Sequence, residues 1–351
     1  MGERLLTVTD LTRMLAPHLD GATVVGMTQQ PIGTGQMSES RRLTLEYSQP
    51  CGLPTTMVAK YESSSEASRA ASVATRTYEV ETSFYREVRE HVAVNAPRCY
   101  FAEFDPATDE FALLLSDFSP CTQGDQLAGC SVADARDAVL EIAGLHGPLW
   151  ENERIKQMPW LHRSASDNPL DIGALFGMLH EGFAERYAGR LSAEAQETGE
   201  RLARAPRDYF TYDPQRFSVV HGDYRLDNVL YLSSPSGSRV GVVDFQTAAV
   251  GCPLIDVVYF VGAGLVAEDR RSVEASLVAD YVERLREFSV TLSLDEAWSL
   301  YRRYAFSGFV MAVIASMIVQ QTDRGDEMFM AMANRHAQQV VDLDSFGALA
   351  D

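Results

Sequence analysis

The segment His221-Gly222-Asp223-Tyr224-Arg225-Leu226-Asp227-Asn228 sets a carboxylate where a β-branched run ends and an asparagine five positions later. A second short strand follows, and after a turn and another strand comes Val243-Asp244-Phe245-Gln246. This spacing suits phosphoryl transfer. That reaction needs little covalent help: a carboxylate to accept or orient a hydroxyl proton, and oxygen ligands to hold magnesium on the phosphates. A tight loop with Asp223 at its start and Asn228 near its end serves both needs from one rigid piece. Asp244, at the end of the following hairpin, supplies a charged metal ligand. Asp227 competes for a metal role and reads better as a solvated or turn residue. Tyr224 and Arg225 beside the base read equally as phosphate or acceptor contacts and as loop surface.

Such a loop needs a partner region to hold the phosphates, and the first third of the chain carries candidates. Gly33 and Gly35 allow a backbone turn to approach a phosphate, although a plain hairpin turn explains the same spacing. Ser38 adds a hydroxyl there. Lys60 ends the run Met57-Val58-Ala59 and is one of only two lysines, Lys60 and Lys156, in an arginine-rich chain. Of two glutamates that could face it, Glu81 shares the helical spacing of Tyr78, Tyr85 and Val88. Glu79 falls on the other side with Ser83 and Arg86. A carboxylate on the apolar face needs a partner.

The positioning elements follow from periodicity. Thr23 to Thr28, Ser40 to Tyr47, Thr55 to Tyr61 and Phe111 to Leu115 read as strands, the second with Leu43, Leu45 and Tyr47 on one face. A single helix is expected from about Glu66 to Val92. The connector Ser116-Asp117-Phe118-Ser119-Pro120 marks a boundary, giving a β-rich lobe over 1–115 and a mainly helical lobe over 116–351. In the second lobe helices are expected over Val132 to His146, Ile172 to Tyr187, Ala193 to Ala205, Arg271 to Phe288 and Leu294 to Gln321. The last starts at Ser293 and Glu296, a capping-box pattern. Short strands over Phe217 to Val220, Asn228 to Leu232 and Arg239 to Val243 interrupt them, with Ser233 to Ser238 as a hairpin loop. The fold class is α+β.

Composition narrows the partners. The 351 residues carry a net charge of -19, which argues against nucleic acid, since such binding depends on clustered Lys and Arg. Five scattered cysteines build neither a disulfide framework nor a zinc site. The N-terminus has no apolar signal region, and the apolar stretch Ala305 to Val319 is shorter than the roughly 18–20 residues of a spanning helix. No membrane insertion and a reducing cytoplasm are the expectation. The oligomeric state is not encoded in any pattern here.

HGDYRLDN with VDFQ resembles the catalytic and metal motifs of the aminoglycoside phosphotransferase and choline-kinase-like superfamily. It is most similar to ecdysteroid-kinase-like proteins and to the phosphotransferase domains found beside acyl-CoA dehydrogenases. The resemblance implies a bilobal protein-kinase-like fold that uses ATP and magnesium to phosphorylate a small-molecule hydroxyl. It implies Asp223 as catalytic base, Asn228 and Asp244 as magnesium ligands, and His221 as a brace of the loop. Lys60 resembles the V-A-I-K lysine that contacts phosphates and pairs with a helix glutamate, and Glu81-Thr82-Ser83-Phe84-Tyr85 resembles the family's E-x-x-F-Y helix. Leu115-Ser116-Asp117 resembles the hinge whose backbone meets adenine. Ser116 replaces the usual glutamate, which leaves GTP use open. Gly251-Cys252-Pro253-Leu254-Ile255-Asp256 resembles the G-D-P-x-x-D segment, where Asp256 braces the loop or is simply a helix N-terminal acid. Leu145-His146 with Trp150 resembles an L-H-x-x-x-W segment, with His146 as a packed structural residue.

The intact set Lys60, Asp223, Asn228 and Asp244 speaks against a non-catalytic pseudokinase. The lack of an A-P-E segment speaks against a protein kinase. On the acceptor side, the region Trp150 to Leu179, the late apolar helix and the residues Met328, Met330 and Met332 are candidate walls or ordinary core. An apolar wall favours a partly apolar alcohol, sterol-like or hydroxyacyl, over an aminoglycoside.

Overall fold

The computed structural model describes residues 6–33, 37–162, 172–204, 209–210, 216–233 and 238–349. Within it the chain divides into two units, residues 1–90 with 96–119, and residues 91–95 with 120–351. The segment 91–95 joins the second unit because it is hydrogen-bonded there. Ala93 N donates to Gly144 O, Asn95 N to Glu141 Oε1 and Asn95 Nδ2 to Val240 O.

The first unit is built on a five-stranded antiparallel sheet in the order β1-β2-β3-β5-β4. Its strands are β1 Val24–Ile32, β2 Ser38–Tyr47, β3 Thr56–Glu62, β4 Cys99–Asp105 and β5 Glu110–Ser116. Period-2 alternation on β2 buries Leu43 and Leu45. They meet Met57 and Ala59 of β3, Leu114 of β5, and Leu11, Met14 and Leu15 from helix α1 (Val8–Leu15) in one core. The sequence reading passed over α1 and β4. The start of α1 is written in Thr7 and Asp10, which satisfy each other's backbone amides at 3.2 and 3.0 Å as a capping box.

The expected helix from Glu66 to Val92 is broken. It is α2 Glu66–Ala74, then α3 Thr77–Ser83, followed by one wide turn over Phe84–Val88 and a tight one over Arg89–His91. The break is at Arg76, which takes a left-handed φ of 57° and pairs its guanidinium with Glu79 at 2.8 Å. Beyond the break Tyr78, Glu81, Tyr85 and Val88 all point inward and are buried. The Tyr78 hydroxyl donates to Met37 O and accepts from Ser63 N, tying α3 to the sheet.

The second unit holds α4 Val132–His146, α5 Ile172–Arg186, α6 Ala193–Arg204, α7 Leu254–Gly264, α8 Ala267–Arg286, α9 Leu294–Arg303, α10 Ser307–Ile318 and α11 Asp323–Asp342. The single helix expected over Leu294 to Gln321 is two, α9 and α10, joined by a tight turn. Tyr304, Ala305 and Phe306 in that turn are all buried, which one face of a continuous amphipathic helix does not permit. At the start of α9 only half of the capping box forms. Ser293 Oγ accepts from Glu296 N, but the Glu296 carboxylate is taken by Arg216 at 2.6 Å. Two small sheets complete this unit: β7 Ser218–Val220 with β10 Ala249–Gly251, and the order β6-β8-β9 from Cys121–Gln123, Val229–Leu232 and Val240–Val242. The hairpin loop expected after Leu232 lies largely outside the described residues. Among the described residues no helix is long and apolar enough to cross a membrane.

Candidate active site

Strand β7 delivers His221, Gly222 and Asp223 into a loop whose backbone is pinned before its side chains act. Gly222 has φ of +78°, and a Cβ there would lie 2.6 Å from Thr247 O, so only glycine fits. The buried Asp256, in the first turn of α7, accepts His221 N at 2.6 Å through Oδ2 and Gly222 N at 2.9 Å through Oδ1. His146 Nε2 approaches the same Oδ2 at 3.0 Å while its Nδ1 meets the Tyr281 hydroxyl at 2.7 Å. Asp256 is thus a brace of the loop rather than only a helix-start acid, and His146 is a buried part of that brace.

His221 is held in one tautomer. Its Nδ1 accepts Asp223 N at 3.3 Å, which leaves the proton on Nε2 to donate to Val243 O at 3.0 Å. One imidazole therefore joins the start of the loop to the strand end that carries Asp244. The hairpin makes the second join. Val229 faces Val242 in the β8–β9 register, and Val243 N donates to Asn228 O at 3.1 Å. Asn228 and Asp244 accordingly leave the same end of one hairpin. Asp244 takes a left-handed φ of 68°, uncommon for a residue with a side chain. Its carboxylate accepts from Gln246 Nε2 at 3.3 Å.

Around the carboxylate of Asp223, Oδ1 accepts the Tyr259 hydroxyl at 2.7 Å, and Oδ2 accepts Arg225 Nε at 3.1 Å and Asn228 Nδ2 at 3.2 Å. Asn228 Nδ2 also donates to Asp223 O at 2.9 Å. Its amide donor is therefore spent inside the loop. Asn228 Oδ1 accepts no hydrogen bond among the described residues, although the residue is buried. A carbonyl oxygen left over in this way fits a hard-cation ligand, and with the Asp244 carboxylate it gives oxygen donors of the kind magnesium favours. Among the described residues no group of three or more His, Cys, Asp or Glu able to hold a metal occurs, and the candidate donors here are one amide, Asn228, and one carboxylate, Asp244.

Other residues singled out in the sequence have different jobs from those expected. Asp227 lies in a tight turn, Leu226–Asn228, as one of its two expected places, but it is not solvated. It is 6% exposed, pairs with Arg225 Nη1 at 2.7 Å and accepts Gln126 N at 3.0 Å. Tyr224 is neither a phosphate contact nor surface, being fully buried with its hydroxyl on Ala138 O. Burial opposes the charge on Arg225, but the carboxylates of Asp223 and Asp227 outweigh it and hold the guanidinium pKa above its ordinary value. Sequence reasoning missed Gln126, whose Oε1 accepts Leu226 N and whose Nε2 donates to Ala263 O, and it missed Tyr259. Neither stands in a motif, and both lie far along the chain from the residue they hold.

In the first unit Lys60 Nζ meets Glu81 Oε2 at 2.6 Å, with side-chain exposures of 9% and 2%. Lys60 lies on the central strand β3, opposite Ser40 of β2 and Leu113 of β5, while Glu81 lies on the inward face of α3. Glu79 is the partner of Arg76 instead. Gly33 has φ of +74° with open space where a Cβ would be, and Gly35 lies outside the described residues. Ser38 opens β2 and is buried. Ser116 Oγ accepts Arg98 N at 2.9 Å, and Asp117 is paired with Arg42 Nε at 2.8 Å, so both side chains are committed within the unit.

A model of a phosphotransferase enzyme family, APH, matches residues 67–289, more than half of the chain. The chain belongs to this family. The match contains Glu81, Asp223, Asn228, Asp244 and Asp256 and begins after Lys60. No curated protein sequence matches significantly. The wild-type aminoglycoside 2'-phosphotransferase-IIIa in its GDP complex is 15% identical over 95% of this chain and 100% of its own, with a TM-score of 0.52. The GDP and kanamycin complex of APH(2")-IIia is 15% identical over 93% of this chain and 98% of its own, TM-score 0.50. A Plasmodium vivax ethanolamine kinase is 10% identical over 88% of this chain and 82% of its own, TM-score 0.52. At these identities the likeness is one of fold, the protein-kinase-like arrangement of a sheet-based N-terminal unit and a helical C-terminal unit. The protein is a phosphotransferase.

Proposed function

We propose that this phosphotransferase moves the γ-phosphate of ATP, with magnesium, to a hydroxyl of a small, partly apolar alcohol of the sterol-like or hydroxyacyl class. The observation that carries the reading is the state of the loop: Asp223 keeps one lone pair of Oδ1 open beside an Asn228 whose Oδ1 is unclaimed. In this reading Asp223 takes the proton of the acceptor hydroxyl as its oxygen attacks the γ-phosphorus and the bond to the β-phosphate oxygen breaks. Asn228 and Asp244 hold magnesium, which when bound neutralises charge on the phosphate oxygens. The first unit binds the nucleotide. Lys60, oriented by Glu81, meets the phosphates; Gly33, Gly35 and Ser38 approach them; and backbone groups at Ser116 and Asp117 meet the base. The second unit provides catalysis and the acceptor pocket.

GDP in the aminoglycoside relatives supports nucleotide use, and kanamycin in one of them supports a small-molecule acceptor. A partly apolar acceptor is supported by Met328 of α11, whose Sδ lies 2.7 Å from Arg225 Nη1 and so brings an apolar side chain beside the loop. The test offers Mg-ATP and Mg-GTP with a panel of sterols, 3-hydroxyacyl compounds and aminoglycosides, and reads nucleoside diphosphate release. Release with an apolar alcohol at least tenfold above that with an aminoglycoside is expected. Preference for the aminoglycoside would overturn the acceptor class. No release with any acceptor, despite tight Mg-ATP binding, would mark a pseudokinase.

A further inference from the structure

We propose that Tyr259 is the positioning residue of the phosphoryl-transfer step: its phenol fixes the Asp223 carboxylate so that one lone pair of Oδ1, and no other, is open to the acceptor hydroxyl. The inference rests on reading Asp223 as the base, and it goes further by naming the atom that acts and the residue that selects it. A carboxylate offers about four lone-pair positions. Oδ2 spends two on Arg225 Nε and Asn228 Nδ2, and Oδ1 spends one on the Tyr259 hydroxyl. Without the phenol, Oδ1 would have two open positions and the carboxylate could turn about its Cβ–Cγ bond. With it, the plane of the carboxylate is set from both sides.

The phenol is itself held rigidly. Tyr259 is 1% exposed and stands three residues after Asp256, so both project from one face of α7. A single helical turn therefore grips the loop twice: Asp256 by the backbone of His221 and Gly222, Tyr259 by the side chain of Asp223. Behind the ring lies the imidazole of His336 on α11, with ring centroids 5.2 Å apart. That imidazole fills space that side chains at Gly262 and Gly308 would otherwise occupy, a Cβ at Gly308 falling 2.0 Å from it. The ring has no room to swing away.

Tyr259 acts as a donor only. Burial first, then the charge of Asp223, push its pKa well above the ordinary 10.0, so it stays protonated and relays nothing. The acceptor's proton goes to Asp223 Oδ1 and the phenol keeps its own. The charged and titratable groups facing Asp223 are Arg225 and Asp227 on its loop, His221 before it and Tyr259 on α7. His336 on α11, behind Tyr259, is kept neutral by burial, with a pKa lowered to about 3.

The test is Tyr259→Phe, which removes one oxygen and no volume from the core. Turnover is read with the best alcohol of the acceptor panel, or with water as acceptor through phosphate release from Mg-ATP. We expect kcat to fall about 10- to 100-fold, with KM for Mg-ATP within about twofold. Adding the change to Asp223→Asn should cost less than about twofold more, since the phenol acts through Asp223. Full kcat would overturn the inference. So would a fall in kcat that multiplies that of Asp223→Asn, or a KM for Mg-ATP that rises in step with it, the signature of a merely structural role. Both constants are taken per folded molecule, so a lower yield does not decide the matter. Full turnover by Asp223→Asn would instead sink the assignment of the base itself.

Discussion

In the N-terminal unit Lys60 and Glu81 meet side chain to side chain at 2.6 Å, one from a strand and one from a helix. In the C-terminal unit Asp223 meets three side-chain donors, and its neighbours' backbone amides are gripped by Asp256. The first centre is built on an ion pair and the second on a network. A buried pair is held by charge, so each partner depends on the other, while the sheet and helix that carry them are stabilised by apolar packing. A network anchored on backbone amides is different. It sets the conformation of the loop itself, and no single partner can be exchanged without leaving donors unpaired on largely buried residues.

The largest effect should fall on chemistry alone. Asp223→Asn is expected to lower turnover by about 10²- to 10⁴-fold with Mg-ATP affinity retained, checked by steady-state kinetics beside calorimetric titration. Unchanged turnover would remove the base and with it the functional contrast between the two centres.

Stability separates pair from network next. Lys60→Met alone takes the lysine from a buried carboxylate and should cost about 3–5 kcal/mol, whereas Lys60→Met with Glu81→Leu should return most of that, both read by denaturant unfolding. Asp256→Ala should cost a similar amount, about 3–5 kcal/mol, because His221 N and Gly222 N lose their acceptor. Unlike the pair, it should not be rescued by a second change such as His146→Leu. Rescue there would show that the loop is held by a pair after all.

A smaller effect probes the packing behind Tyr259 and Asp223 through pH. Burial lowers the pKa of His336 to about 3, from an ordinary value of 6.5. The unfolded chain therefore binds a proton below pH 6.5 that the folded chain refuses until about pH 3. Stability present above pH 6.5 should be lost as the pH falls through that window, by about 1.4 kcal/mol per pH unit from this group. His336→Gln should flatten that slope in a series of Tm measurements. An unchanged slope would place the acid sensitivity elsewhere.

The smallest effect belongs to the N-terminal unit's outer pair. Arg42 is about one-third exposed where it meets Asp117, so Asp117→Asn should cost no more than about 1 kcal/mol of unfolding free energy. Nucleotide affinity should stay within about twofold if the backbone at Ser116 and Asp117, not the side chain, meets the base. A loss of tenfold or more would give the carboxylate a direct role.

Much of the site was legible because its determinants are local. Asp223 and Asn228 share one loop, and a hairpin register of a few residues brings Asp244 beside them. Helical periodicity distinguished Glu81 from Glu79 because the inward face is an average over several apolar side chains, and the break at Arg76 fell before that face. Local pattern failed where burial was complete. Helix α7 is buried on nearly every side, so it has no amphipathic period to read. Asp227 looked solvated because its partners Gln126 and Arg324 come from distant elements.

The sequence by itself determined the family, the reaction and the order of the chemical groups, since loop and hairpin spacing are short-range properties of the chain. Only the tertiary structure decided which groups hold Asp223 in place. Asp256, Gln126 and Tyr259 lie 33, 97 and 36 residues from Asp223, and their hydrogen bonds depend on where α7 and the strands pack. The physical reason is that a donor must arrive within about 3 Å and along a lone pair, a condition that helix and sheet packing sets and residue identity alone does not.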